Sequence, residues 1–261
     1  MKSRSEMTII EHLAELRMVL LKVTGAIVLG SVIAFLFGNN ILDLITQVSN
    51  PQFITNRWFC GLATLLNSPQ LCINSTPVGL VNIELAGQFT LHLKLAVMGG
   101  VVLTLPYCLT VLAGFILPAL KDKERKLSLK FLFLSLVLFI VGVAFGYYVI
   151  APIAVHFLAN YNLSEIIVNH ITVQSFIATV SQTVLAMGIG FELPLVVFFL
   201  TKWHIIEIDL LKRNRPVAIV VLLTLAAIIT PPDVFSMIVV AVPLWLLYEI
   251  SIFATKWAKI K

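Results

Sequence analysis

Charge is scarce in this chain. Only 12% of its 261 residues are Asp, Glu, Lys or Arg, against about 25% in an ordinary soluble domain, and 59% are hydrophobic. That shortage excludes a large water-solvated domain. Lipid is the solvent such a composition suits, and lipid admits only chains that pair their own backbone polar groups. Cysteine is scarcer still: Cys60, Cys72 and Cys108 are too few and too scattered for a zinc pattern. His12, His92, His156, His170 and His204 are dispersed along the chain, so no metal site is expected. No Walker-type loop is present, so no nucleotide or other cofactor is expected. Residues 1–17 are polar and charged and the apolar run after them is too long for an h-region, so no cleavable signal peptide is expected.

What is present is a series of long apolar runs. Six of them read as membrane spans: Met18 to Phe37, Leu91 to Leu117, Leu127 to Ile150, Ile171 to Leu200, Pro216 to Ile229 and Val234 to Tyr248. A helix needs roughly 20 residues at about 1.5 Å each to cross roughly 30 Å of hydrocarbon. The fourth run is long enough to tilt. The last two reach only roughly 21 Å each and are joined by Thr230, Pro231, Pro232 and Asp233, so they form a short hairpin. Proline stops the fifth helix there, and Asp233 can cap the sixth.

The net charge of +5 matters less than where it sits. Lys2, Arg4, Arg17 and Lys22 precede or open span one. Lys121, Lys123, Arg125, Lys126 and Lys130 lie between spans two and three. Lys202, Lys212, Arg213 and Arg215 lie between four and five, and Lys256, Lys259 and Lys261 form the tail. The other side has only Arg57, with Lys94 near the start of span two. The positive-inside rule therefore places both termini in the cytoplasm. The fold class is an all-α membrane protein of six transmembrane helices, one domain over residues 1–261, with a large outside loop at 38–90. Basic charge distributed this way points to the membrane surface and not to nucleic acid. Cys60 and Cys72 share the outside loop, which faces an oxidising compartment, so a disulfide is expected between them. Cys108, inside span two, is expected to stay a buried thiol.

Three acids carry the chemistry. Glu192 lies about ten residues before Lys202, hence roughly 15 Å from the cytoplasmic end and close to mid-bilayer. A charge at that depth costs about 2.5 to 3.5 kcal/mol, so the group is neutral, paired or in a wet cavity. The plainer alternative is an acid satisfied by a neighbouring helix. Pro194, two residues on, removes a backbone donor and loosens the helix. Glu15 stands with Glu11 on one face of an amphipathic surface helix leading into span one, where an ordinary solvated turn is the plainer reading. Glu124 lies among five basic residues, where a weak surface ion pair with Lys121 or Lys126 is the plainer reading. Read jointly, two carboxylates on the cytoplasmic side suit two guanidinium groups, because each can accept a bidentate fork that lysine cannot make. Asn74-Ser75-Thr76 has the form of a glycosylation sequon, read here as accidental.

A family resemblance rests on a set of landmarks in order: His12-Leu13-Ala14-Glu15-Leu16-Arg17; Phe115-Ile116-Leu117-Pro118-Ala119-Leu120 with Lys123-Glu124-Arg125; Phe145-Gly146-Tyr147-Tyr148-Val149 with Pro152; Gly190-Phe191-Glu192-Leu193-Pro194; Thr230-Pro231-Pro232-Asp233-Val234; and Tyr248-Glu249-Ile250. Together, over nearly the whole chain, they resemble TatC, the core subunit of the twin-arginine protein translocase. The chain departs from the family in a longer first outside loop and in Ala227 and Met237 beside the hairpin. The resemblance implies a non-enzymatic receptor in the bacterial cytoplasmic (inner) membrane that binds twin-arginine signal peptides of folded precursors and recruits TatA-type and TatB-type single-span partners. Export would draw on the proton-motive force, and self-association is expected. The resemblance assigns Glu15, Arg17, Phe115, Leu120 and Glu124 to signal-peptide binding, and Glu192 and Thr230 to partner binding. Apart from the resemblance, Phe115 reads as an interface aromatic and Arg17 as a headgroup anchor.

Two other classes compete. A proton-coupled secondary transporter would use Glu192 as its coupling site, and broken helices in corresponding halves would favour it. An intramembrane hydrolase needs a nucleophile–base pair at membrane depth, and the histidines, near the span ends, supply none.

Overall fold

The computed structural model describes residues 9–68, 72–75, 78–116, 122–162, 164, 169–202, 206–229 and 234–260, without the side chains at 9–12, 113–116, 122–132, 202, 229, 235–236, 254 and 256–260. The helices are α1 (Ile9–Leu36), α2 (Gly38–Thr46), α3 (Ile54–Leu65), α4 (Gly87–Ile116), α5 (Asp122–Phe145), α6 (Ala151–Asn160), α7 (Val173–Gly190), α8 (Leu193–Lys202), α9 (Ile208–Arg213), α10 (Arg215–Ile229) and α11 (Val234–Ile260). A 3₁₀ turn covers Gln47–Ser49 and a π-helical turn covers Gly146–Ile150. Two short strands, β1 (Leu80–Val81) and β2 (Ile171–Thr172), pair in parallel, Leu80 opposite Ile171. Among the described residues, four helical stretches are long and apolar enough to cross a bilayer: Leu13–Leu36, Gly87–Leu112, Phe133–Asn160 and Val173–Thr201. Arg215–Ile228 and Met237–Phe253 are shorter apolar helices.

The chain divides into two compact units. The first comprises Met1–Leu42 and Leu85–Val137 and is built on the antiparallel pairing of α1 with α4. Small residues set that contact: a Cβ on Gly30 would stand 2.9 Å from the Gly100 carbonyl oxygen, and one on Gly100 would stand 2.7 Å from the Ser31 Cα. Glycine there lets the two backbones touch, the packing that helices in lipid rely on when no hydrophobic force draws them together. At one end of the pair the His92 ring stacks on Phe35, centroids 4.0 Å apart, with Nε2 2.8 Å from the Phe35 carbonyl oxygen. That contact gives the His92 ring a partner at a carbonyl in the last turn of α1.

The second unit comprises Asp43–Glu84 and Leu138–Lys261. Its core joins the π turn, α7, α9, α10 and α11 through Ile150, Met187, Ile208, Leu222, Ala226, Val240, Leu244 and Tyr248, all buried. Gly142 and Gly188 bring α5 and α7 together: a Cβ on Gly142 would stand 2.9 Å from the Gly188 Cα.

The structure redraws several expected boundaries. The surface helix expected before span one is continuous with it, since α1 runs unbroken from Ile9 to Leu36. The expected loop at 38–90 is largely helical, holding α2, the 3₁₀ turn and α3. The third span does not stop at Ile150: the π turn passes directly into α6, which ends at Asn160. Pro152 cannot donate to the carbonyl of Tyr148. That carbonyl accepts from Thr55 Oγ1, and the π turn before Pro152 carries the chain into α6, where proline in the first turn is tolerated. The fourth span is interrupted between Gly190 and Leu193. The sixth helix is not a 15-residue segment, because α11 extends 27 residues to Ile260. Tyr248 and Ile252 pack in the core and Ser251 and Thr255 are buried, so burial carries the helix past the expected end at Tyr248.

Candidate functional site

Of the residues expected to read a signal peptide, Glu15, Arg17, Phe115 and Glu124 fall in the first unit. Glu15 is half-buried on α1, two residues from the exposed Arg17. Phe115 is the penultimate residue of α4, with its side chain outside the described set. The contact of Gly30 with Gly100 fixes the helix register. Glu15 lies fifteen residues from Gly30 and Phe115 fifteen from Gly100, roughly 22 Å along each axis. Because the helices are antiparallel, both displacements run the same way, and the two positions share one end of the pair. Glu124 lies in the first turn of α5, its side chain outside the described set. Leu120 lies outside the described residues altogether.

Glu192 occupies the interruption between α7 and α8. The Phe191 N–H still bonds the Met187 carbonyl at 3.0 Å, but the Glu192 N–H turns to Ile189, also at 3.0 Å, a tighter three-residue turn. The Glu192 carbonyl then accepts from Leu195 and Val196, both at 3.0 Å, and so begins α8. Pro194 causes the break, since it has no N–H for the Gly190 carbonyl. Glu192 is half-buried, with Oε1 shielded from solvent within the chain. Its neighbours Phe191 and Leu193 pack on the core of the second unit, and Gly190 abuts Leu244, where a Cβ would stand 2.6 Å from Cδ2. The acid is thus held at a fixed point by the residues on both sides of it. Thr230, Pro231, Pro232 and Asp233 lie outside the described residues; α10 ends at Ile229 and α11 begins at Val234.

Sequence reasoning assigned no role to two further constellations. Asn56 and Asn74 form a buried polar node: Asn56 Nδ2 donates to the Val48 and Asn50 carbonyls at 3.0 and 2.8 Å, and Asn74 Nδ2 donates to Asn56 Oδ1 and the Pro152 carbonyl, both at 3.1 Å. The Asn74 N–H donates to His156 Nδ1 at 3.1 Å. Both hydrogens of the Asn74 amide are therefore engaged in the interior, which is incompatible with a glycosylated sequon. Cys60 and Cys72 are disulfide-bonded beside this node, and Cys108 is a buried free thiol. In the second constellation Tyr248 Oη donates to the Leu211 carbonyl at 2.9 Å, and Arg215 meets Glu249 at 2.8 Å. The Tyr248-Glu249 landmark was the available signal, but only the fold names its partners. Among the described residues, no three His, Cys, Asp or Glu side chains converge as metal ligands would.

The model of the family described as Sec-independent protein translocase protein (TatC) matches residues 11–243. The Sec-independent protein translocase protein TatC of Blattabacterium sp. subsp. Periplaneta americana (strain BPLAN) is 35% identical over 253 residues, covering 96% of this chain and 95% of that protein. TatCy of Bacillus subtilis (strain 168) is 30% identical over 254 residues, covering 97% and 91%. Among solved structures, a crystal structure of the twin arginine translocase receptor TatC in DDM superposes with a TM-score of 0.76 at 29% identity, covering 94% of this chain and 99% of that one.

Proposed function

The chain belongs to the TatC family of Sec-independent protein translocase proteins, and from that premise we propose that it is the signal-peptide receptor and core scaffold of a twin-arginine translocase in a bacterial cytoplasmic membrane. In this reading it crosses the membrane six times with both termini in the cytoplasm, catalyses no reaction, and associates with further copies of itself. Glu15 and Glu124 take the paired arginines of a signal peptide, with Arg17, Phe115 and Leu120 around them. Glu192 and Thr230 face the membrane helix of a TatA-type or TatB-type partner, and the proton-motive force drives export. The single observation that carries the reading is the match over nearly the full length of the chain. The level shared by Glu15 and Phe115 on α1 and α4 supports the receptor site, and the fixed position of Glu192 in a helix break supports a docking point.

The test is binding of a twin-arginine peptide to the protein in bilayers, against a twin-lysine control. Glu15→Gln and Glu124→Gln each weaken binding and erase the preference for arginine while insertion is retained. Unchanged affinity and unchanged discrimination in both variants would sink the assignment. The transporter reading has one observation in its favour, the interruption at Glu192, since transporters build sites at discontinuous helices. It predicts proton-coupled solute uptake by the protein alone in sealed vesicles, lost in Glu192→Gln.

A further inference from the structure

α3 leaves one face uncovered. Ile54, Trp58, Leu62 and Leu65 follow one another at i, i+4, i+8 and i+11, which puts them on one side of a 3.6-residue helix. Trp58 is 74% exposed, Ile54 62% and Leu65 81%. The opposite side is fixed in the second unit: Asn56 and Ala63 are buried, Asn56 holds the polar node, and Cys60 is bonded to Cys72. The helix cannot roll to hide its stripe, so the stripe meets whatever surrounds the protein at that height.

The height follows from the third membrane-crossing helix. Phe53, the residue before α3, packs edge-on against Tyr147 with centroids 5.4 Å apart and stacks on Tyr148 at 5.7 Å. Thr55 Oγ1 donates to the Tyr148 carbonyl. Lys130 is the last basic residue before this span, and about 20 helical residues beyond it reach Ile150. Tyr147 and Tyr148 therefore stand at the outer hydrocarbon boundary, the level at which tyrosine and tryptophan collect. α3 starts at that boundary. Its stripe has tryptophan near the middle, and it is flanked by Arg57, the sole Lys or Arg between residues 38 and 90, which is exposed. A basic residue beside an apolar face is complementary to anionic headgroups lying over acyl chains.

We propose that α3 is an interfacial helix, lying on the outer leaflet with Ile54, Trp58, Leu62 and Leu65 in the headgroup–acyl boundary and Arg57 on lipid phosphate. It fixes the rotation and depth of the disulfide-bonded outer segment at the membrane surface. The inference uses the membrane placement of the chain and is independent of what the receptor site binds.

The experiment is fluorescence of the full-length protein in bilayer nanodiscs containing phosphatidylglycerol, with Trp58→Phe as the reference. The difference between the two emission spectra isolates Trp58 from the other tryptophans. Lipids brominated near the headgroup end of the acyl chain quench that component by about twofold or more, and lipids brominated near the chain terminus quench it less. Aqueous iodide leaves it nearly unchanged. Iodide quenching without bromolipid quenching overturns the proposal, because the stripe then faces water. A photocrosslinker in place of Leu62 that joins two copies of the chain, and labels no lipid, overturns it in favour of a second copy.

Discussion

Removing the Asn74 side chain isolates what the buried polar node contributes. Asn74 is 4% exposed and adopts a positive φ of 49°. Asn74→Ala withdraws the donor from Asn56 Oδ1 and from the Pro152 carbonyl. Asn56 cannot compensate by flipping its amide, because its own Nδ2 already holds the Val48 and Asn50 carbonyls. A buried acceptor deprived of its donor costs about 1 to 3 kcal/mol, and alanine in the left-handed region adds about 1 kcal/mol, so the local cost is about 2 to 4 kcal/mol. Asn74→Gly recovers the backbone part, about 1 kcal/mol. Asn74→Asp is no better than alanine, because an ionised carboxylate sets acceptor against acceptor. The assay is amide hydrogen exchange over residues 72–75 and α6. Local opening in Asn74→Ala accelerates exchange there by about 30- to 700-fold, since each 1.4 kcal/mol is about tenfold. Exchange within about twofold of the parent in both Asn74→Ala and Asn74→Asp would refute the reasoning and leave the node energetically silent.

Three other outcomes are expected. Glu192→Ala lowers crosslinking from this site to TatA-type and TatB-type partners while sparing signal-peptide binding, and Glu192→Gln is milder because an amide still donates and accepts; full crosslinking and export in Glu192→Ala would leave the residue a satisfied core acid. Gly142→Val places a side chain where a Cβ already stands 2.6 Å from the Met187 carbonyl oxygen and 2.8 Å from the Phe191 Cβ, so it lowers thermal stability in detergent by about 1 to 3 kcal/mol through overpacking; an unchanged melting midpoint would show that α5 and α7 separate freely. Tyr248→Phe, which removes the donor to the Leu211 carbonyl, costs about 1 kcal/mol, more than Arg215→Gln, which breaks a half-exposed ion pair worth less than about 1 kcal/mol; the reverse ranking in thermal melts would contradict the burial argument.

Composition and spacing by themselves determined the solvent and the helical class. A chain short of charge with long apolar runs has few other ways to pair its backbone, and the runs beginning near Met18, Leu91, Leu127 and Ile171 each coincide with helices long enough to cross a bilayer. The acid in the fourth run was legible for the same reason: a carboxyl far from any polar run is conspicuous. Proline positions were legible too, but their consequences were decided by tertiary contacts. Pro194 does break its helix, whereas Pro152 sits in the first turn of α6 behind a π turn, with the Tyr148 carbonyl accepting from Thr55. The end of α11 was hidden because the helix runs past Tyr248 through the charged Glu249, stays apolar to Phe253 and keeps Thr255 buried beyond it. The partners of Asn56, Asn74, Tyr248 and Glu249 were hidden because each bond joins residues distant in the chain, and periodicity reports only a residue's own helix face. The sequence names which side chains can carry charge or hydrogen bonds; only the packing of one element on another decides which carbonyls need them.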